Sequence, residues 1–120
     1  MSQAIKGVDF IVNGLSSALE TEVFRFAPDS SADSAVWVDI NFMEFDRPAA
    51  VFSVRVHGSV YVRAPIDNAV EAFETHEKIM DFLNKRASNR PTFRVEDSSV
   101  SYTSDGSSLI HIKTPYTEVP

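Results

Sequence analysis

Cysteine is absent from the 120-residue chain, and with it go disulfides, thiolate metal sites and thiol nucleophiles. Basic residues are in short supply: 11 Lys and Arg stand against 17 Asp and Glu, for a formal net charge of −6. That balance has the wrong sign for a general nucleic-acid binder, which needs a net basic footprint. Long apolar runs are missing too. No segment approaches the roughly 20 apolar residues that cross a bilayer. The opening MSQAIKGVDFIVNGLSS is interrupted by Asp9 and Asn13 and carries one lysine ahead of them, so it does not read as a signal peptide. The phosphate-cradling and nucleophile motifs G-x-G-x-x-G, the P-loop, G-x-S-x-G and S-x-x-K do not occur.

What is present is the patterning of a folded domain. Hydrophobic residues make up 43% of the chain, which at this length supports one core and one domain, 1–120. Apolar residues spaced by three and four from Ala4 to Leu19 predict an amphipathic helix over 3–20, weakened by Gly7 and Gly14. A strand is expected over Glu22–Ala27, followed by the polar loop PDSSADSA at 28–35. In VWVDINFMEF the even positions Val36, Val38, Ile40 and Phe42 predict one buried face, and Asp46-Arg47-Pro48 a turn.

The run AVFSVRVHGSVYVR at 50–63 alternates almost without a break, far beyond the usual strand of about five or six residues. Its even positions are apolar or small, and Arg55, His57, Tyr61 and Arg63 share the other face. A bend is expected at His57-Gly58, where glycine permits a bulge. Asp67 then reads as the N-cap of a helix over 68–86, with Ile66, Val70, Phe73, Met80 and Leu83 as its apolar stripe. The remainder reads as a hairpin turning at Asp105-Gly106, with a three-residue loop placing Val100 opposite Ile110. TPYTEVP, with two prolines, is expected to be an extended C-terminal arm, 114–120. The fold class that follows is α+β: one antiparallel or mixed sheet of four to five strands with two helices packed on it, in the order α-β-β-β-α-β-β.

Three histidines carry the only evident side-chain chemistry. His76 falls beside the apolar stripe of its helix and reads as a packed or boundary residue. His57 and His111 lie on polar strand faces; were those strands neighbours, the two rings and Asp39 would make a candidate metal or ligand pocket. The chain has no HxH or HxxxH pair to support it. Glu71, Glu74, Glu77 and Asp81 recur at helical spacing and read as a solvated face. No catalytic residue, cofactor site or metal site is assigned, and the chain is not read as an enzyme. Arginine and aromatic side chains dominate interface energies, so Arg47, Arg55, Tyr61, Arg63 and Tyr116 are the candidate interface.

The long strand VFSVRVHGSVYVRAP, the acidic helix IDNAVEAFETHEKIMDFLNKR and the closing hairpin SSVSYTSDGSSLIHIKTP, in this order, resemble the tail terminator (tail completion) proteins of long-tailed bacteriophages. The resemblance implies a structural virion protein that caps the tail tube as an oligomeric ring, typically a hexamer, and forms the joint to the head connector. The partners it implies are further copies of the chain, the tail tube protein and the head-tail connector protein. DNA would pass through a channel without specific binding, and no membrane is involved. The location implied is the tail or neck of the virion, after synthesis in the host cytoplasm. Two alternatives stand beside it: another phage neck, head-tail or baseplate protein, and a small-ligand-binding α+β domain.

Overall fold

The computed structural model describes residues 3–28, 33–46, 53–103 and 108–119. In chain order they form α1 (Gln3–Leu19), β1 (Phe24–Arg25), β2 (Ala35–Asp46), β3 (Ser53–Pro65), a single 3₁₀ turn (Ile66–Asn68), α2 (Ala69–Asn89), β4 (Phe93–Val95), β5 (Ser99–Thr103) and β6 (Leu109–Glu118). The class is the expected α+β, with two helices on one mixed sheet, but among the described residues the sheet has six strands. The additional strand arises because the run from Phe93 to Thr103 is broken at 96–98. It pairs as two short strands, β4 and β5, with opposite ends of β6.

The sheet order is β1-β2-β3-β6, with β4 and β5 on the far side of β6, and only β1 runs parallel to its neighbour. Val36, Val38, Val60, Val62, Ile110, Ile112 and Tyr116 face the helices and form the core with Val8, Ile11 and Leu15 of α1 and Ala72, Ile79 and Leu83 of α2, and Val56 of β3 is also buried. β3 thus buries the even face that its alternation predicts. Gly14 sits where a Cβ would collide with the ring of Phe82, so the glycine that weakens α1 as a helix lets it approach α2.

Four local readings are corrected. First, Phe42 is 56% exposed. The β2–β3 register slips between Ile40 and Phe42, leaving Asn41 as an extra residue. A bulge inverts the facing of everything beyond it, so Phe42 lands on the face opposite Val38 and Ile40. The irregularity falls beside His57-Gly58, as expected, but the extra residue belongs to the partner strand. Second, Asp67 is not a helix cap: it lies in the 3₁₀ turn, and Asn68 precedes α2 without a side-chain capping bond. Third, the closing hairpin pairs Val100 with Ile112 and Tyr102 with Ile110. The shift of two residues keeps the predicted facing; the turn expected at Asp105-Gly106 lies outside the described residues, as do 29–32 of the expected polar loop and Arg47 and Pro48 of the expected turn.

Fourth, residues 114–118 are not an arm. They are the second half of β6, paired with β3 on one side and β4 on the other. Proline is tolerated here for a definite reason. The Pro115 carbonyl accepts the Glu96 N–H at 2.9 Å. In an antiparallel strand a residue's N and C=O point to the same side, so the missing N–H of Pro115 faces the gap between β4 and β5 and not the β3 ladder.

Gly58 is the glycine the sheet cannot replace. A Cβ there would lie 2.5 Å from the Tyr116 ring and 2.8 Å from the Asp39 carbonyl oxygen. Both neighbours are fixed, one by burial and the other by the bulged backbone. Gly58→Ala is therefore expected to lower the unfolding free energy by about 1–3 kcal/mol, measured by urea denaturation. Gly14→Ala should cost less despite its closer contact, because the Phe82 ring edge can swing and alanine is the better helix former by about 1 kcal/mol. The reverse ranking would contradict this account.

Candidate functional site

On the sheet face turned away from the helices, the register brings side chains into rows across the strands. One row runs Phe42, His57, Thr117, Arg94 across β2, β3, β6 and β4. Its centre is His57. The ring stacks on Phe42 with centroids 4.1 Å apart, its Nε2 lies 2.5 Å from Glu44 Oε1, and its Nδ1 lies 3.3 Å from the Thr117 hydroxyl. A ring that donates Nε2–H to Glu44 leaves Nδ1 to accept from Thr117. Both ring nitrogens are then occupied in tying the bulged hairpin to β6.

A second row holds Trp37, Tyr61 and Lys113. Trp37 and Tyr61 stack at 5.1 Å, Arg63 lies over the indole at 5.3 Å, and Lys113 lies 5.8 Å from the Tyr61 ring centre. Between the rows, the bulge residue Asn41 accepts from Ser59 at 2.6 Å and donates to Tyr61 at 3.1 Å. The extra residue in β2 is thus held by its side chain as well as its backbone.

The sequence candidates separate. Arg55 is exposed and makes no ion pair among the described residues. With His57, Arg94 and Thr117 it lines a cleft of about 560 Å³ between β3, β6 and the β4 segment. Tyr61 and Arg63 are half-buried in the aromatic row. Arg47 lies outside the described residues. Tyr116 is 2% exposed and stacks on Phe93 at 5.3 Å; burial first, then Glu118, push its phenol well above the usual range. In this chain Tyr116 is a core side chain and not an accessible contact.

The pocket imagined from His57, His111 and Asp39 does not assemble. β3 and β6 are neighbours, but His57 is paired with Thr117 and His111 with Arg63. Those β6 positions are six residues apart, or about 20 Å at ~3.3 Å per residue. Burial and the adjacent Arg63 guanidinium hold the His111 pKa below its ordinary value. His76 bonds through Nε2 to Ser98 at 2.8 Å, and Ser98 meets buried Thr114 at 2.9 Å. Partial burial lowers the His76 pKa, opposed by Glu77. Among the described residues no group of three or more His, Asp and Glu is placed to hold a metal ion.

Two features escaped the sequence. The first is the hairpin end of β2 and β3, where Phe42, Met43 and Phe45 are about half exposed. The second is the start of α2. The helix buries Ala72, Ile79, Leu83 and Arg86, whereas Ile66, Val70 and Phe73 of the expected stripe are 40, 72 and 40% exposed. Ala72 carries too little hydrophobic weight to reveal the true face. The 3₁₀ turn also changes the phase between Ile66 and the helix proper.

No protein-family model matches the chain, and no curated protein matches its sequence. Among solved structures, the fold is similar to a chain of the "Virion of native gene transfer agent (GTA) particle", with a TM-score of 0.61 at 12% identity, over 98% of each chain.

Proposed function

We propose that the chain is a structural subunit of a phage-type virion, acting as a tail terminator: a ring of copies that caps the tail tube and presents the joint to the head connector. The observation that carries this reading is the end-to-end fold likeness to a chain of a gene transfer agent virion particle, covering 98% of both chains. It agrees with the order of elements in the sequence and with what the polar sheet face offers. The outward residues are engaged in stacking and in ties between strands. Arg55 and Arg94, free of ion pairs among the described residues, are suited to docking. The net charge of −6 suits a ring around passing DNA, because a duct for phosphate should not hold it. Another neck or baseplate protein with this fold would differ in which neighbour it docks.

The test is reconstitution. Purified chain added to polymerising tail tube protein is expected to stop growth and give short tubes with a ring at one end, seen by negative-stain microscopy. Its mass by light scattering should be a multiple of 13.3 kDa. Tubes that grow unchanged in its presence would rule out the terminator role.

A further inference from the structure

We infer that two copies of this chain associate through β5, their edge strands pairing antiparallel about a two-fold axis at Ser101. One sheet then continues through both molecules. The inference goes beyond the ring proposed above and does not depend on it. A two-fold contact closes at two copies, so it describes the free subunit, whereas a ring needs a separate head-to-tail contact.

The backbone decides which groups β5 leaves open. The Pro115 carbonyl accepts the Glu96 N–H, and the Val119 N–H donates to the Thr92 carbonyl. Odd-numbered residues of β6 therefore turn their N–H and C=O toward β4 and β5. Their partners along β5 are Ser99, Ser101 and Thr103, which bond inward. Val100 and Tyr102 point their N–H and C=O the other way, and among the described residues β5 pairs with no strand but β6. Such an edge is a template for another strand.

The same two residues expose apolar side chains. Val100 and Tyr102 have core-face parity, opposite Ile112 and Ile110, yet they are 43 and 61% exposed. α2 adds to this side. His76 bonds to Ser98, just before β5. Phe73 lies one helical turn back from His76 on the same flank and is 40% exposed. Helix and strand leave an apolar step along the sheet edge.

The sequence of β5, SVSYT, selects a second β5 as the occupant. Antiparallel pairing centred on Ser101 sets Val100 against Tyr102 of the second copy and Ser99 against its Thr103. The outward groups of Val100 and Tyr102 then meet as hydrogen-bonded pairs on both sides of the axis. Their β-branched and aromatic side chains face each other on the helix side, a favourable cross-strand pair. Serine meets serine at the axis, and no charge opposes a like charge, because the strand carries none. It also lacks the lysine, proline or bulge by which edge strands refuse partners. The other edges have such protection. β1 and β4 are two and three residues long, and β2 beyond β1 carries the register shift after Ile40 and the exposed Glu44.

Ser101 is exposed and lies where each copy meets its own residue, so substitutions there report on the axis. Cysteine is absent from the chain, and the Cα atoms of a non-hydrogen-bonded antiparallel pair lie about 4.5 Å apart, within disulfide reach. Mild oxidation should turn Ser101→Cys into a covalent dimer on a non-reducing gel. The rate should exceed that of Ser17→Cys, on an exposed turn of α1, by about tenfold or more. In sedimentation equilibrium the wild type is expected to dimerise with concentration. Ser101→Lys and Ser101→Glu should each weaken association by about tenfold or more, with circular dichroism unchanged, because like charges then face each other across the axis. An equimolar mixture of the two should associate again, since opposite charges now meet. A wild type that stays monomeric at every concentration, or a thiol that oxidises no faster than the control, would overturn the contact. A mixture as weak as its components would overturn the two-fold axis.

Discussion

A chain ending at Lys113 is expected not to fold. As a detachable arm, 114–120 would cost assembly when removed and leave the subunit intact. In the structure this segment supplies residues that hold the centre of the sheet. Thr114, Tyr116 and Glu118 are buried at 1, 2 and 4% exposure, and among the described residues their strand alone joins β3 to β4 in the sheet. Removing it uncovers Val56, Phe93 and the space over Gly58, with the Tyr116 ring itself gone. Each large apolar side chain so exposed forfeits about 1.5–3 kcal/mol. Arg86 is left buried without its carboxylate, at about 3–5 kcal/mol. Together these losses reach the whole stability of an ordinary domain, about 5–15 kcal/mol. Far-UV circular dichroism and limited proteolysis check the result. A truncated chain with a cooperative urea transition would show that β6 beyond Lys113 is dispensable.

That segment also marks where the sequence stops being legible. β3 could be read because one face holds Val56, Val60 and Val62 and the other holds arginine, histidine and tyrosine, so period and polarity agree. In β6 the same alternation continues as Ile110, Ile112, Thr114, Tyr116, Glu118. Its inward positions turn polar halfway along, because a core threonine meets Ser98 and a core glutamate meets Arg86. Two prolines completed the disguise. The α2 face is obscured for the opposite reason: large apolar residues stand outside and a small alanine inside. Phe42 was misplaced by one inserted residue, and Asn41 gives no sign of a bulge until its partners Ser59 and Tyr61 are known. Among the candidate interface residues, strand parity places Arg55 on an exposed face. Tyr116 is a candidate by residue type alone, and its strand places it in the core.

Breaking the ion pair between Arg86 and Glu118 is expected to be among the most damaging single changes away from the aliphatic core. The Arg86 guanidinium donates to both carboxylate oxygens, from Nη2 at 2.5 Å and from Nε at 3.3 Å, and the two residues are 7 and 4% exposed. Phe10 of α1 and Phe93 of β4 lie beneath the guanidinium at 4.1 and 5.2 Å. One side chain of α2 therefore joins both helices and two strands. Arg86→Met should cost about 3–5 kcal/mol, because it strands a carboxylate in a place that water barely reaches. Glu118→Leu should cost a similar amount for the stranded guanidinium. Arg90, 3.7 Å from the same carboxylate and far more exposed, can swing toward Glu118 but has nothing to offer Arg86, so the arginine variant should be the milder of the two. The double variant is expected to recover most of the loss, since apolar side chains of similar volume avoid the desolvation that a buried pair must offset. Urea denaturation of the four proteins gives the coupling energy directly. Single losses under about 1 kcal/mol would be those of an exposed pair, and would mean that water reaches this end of the core.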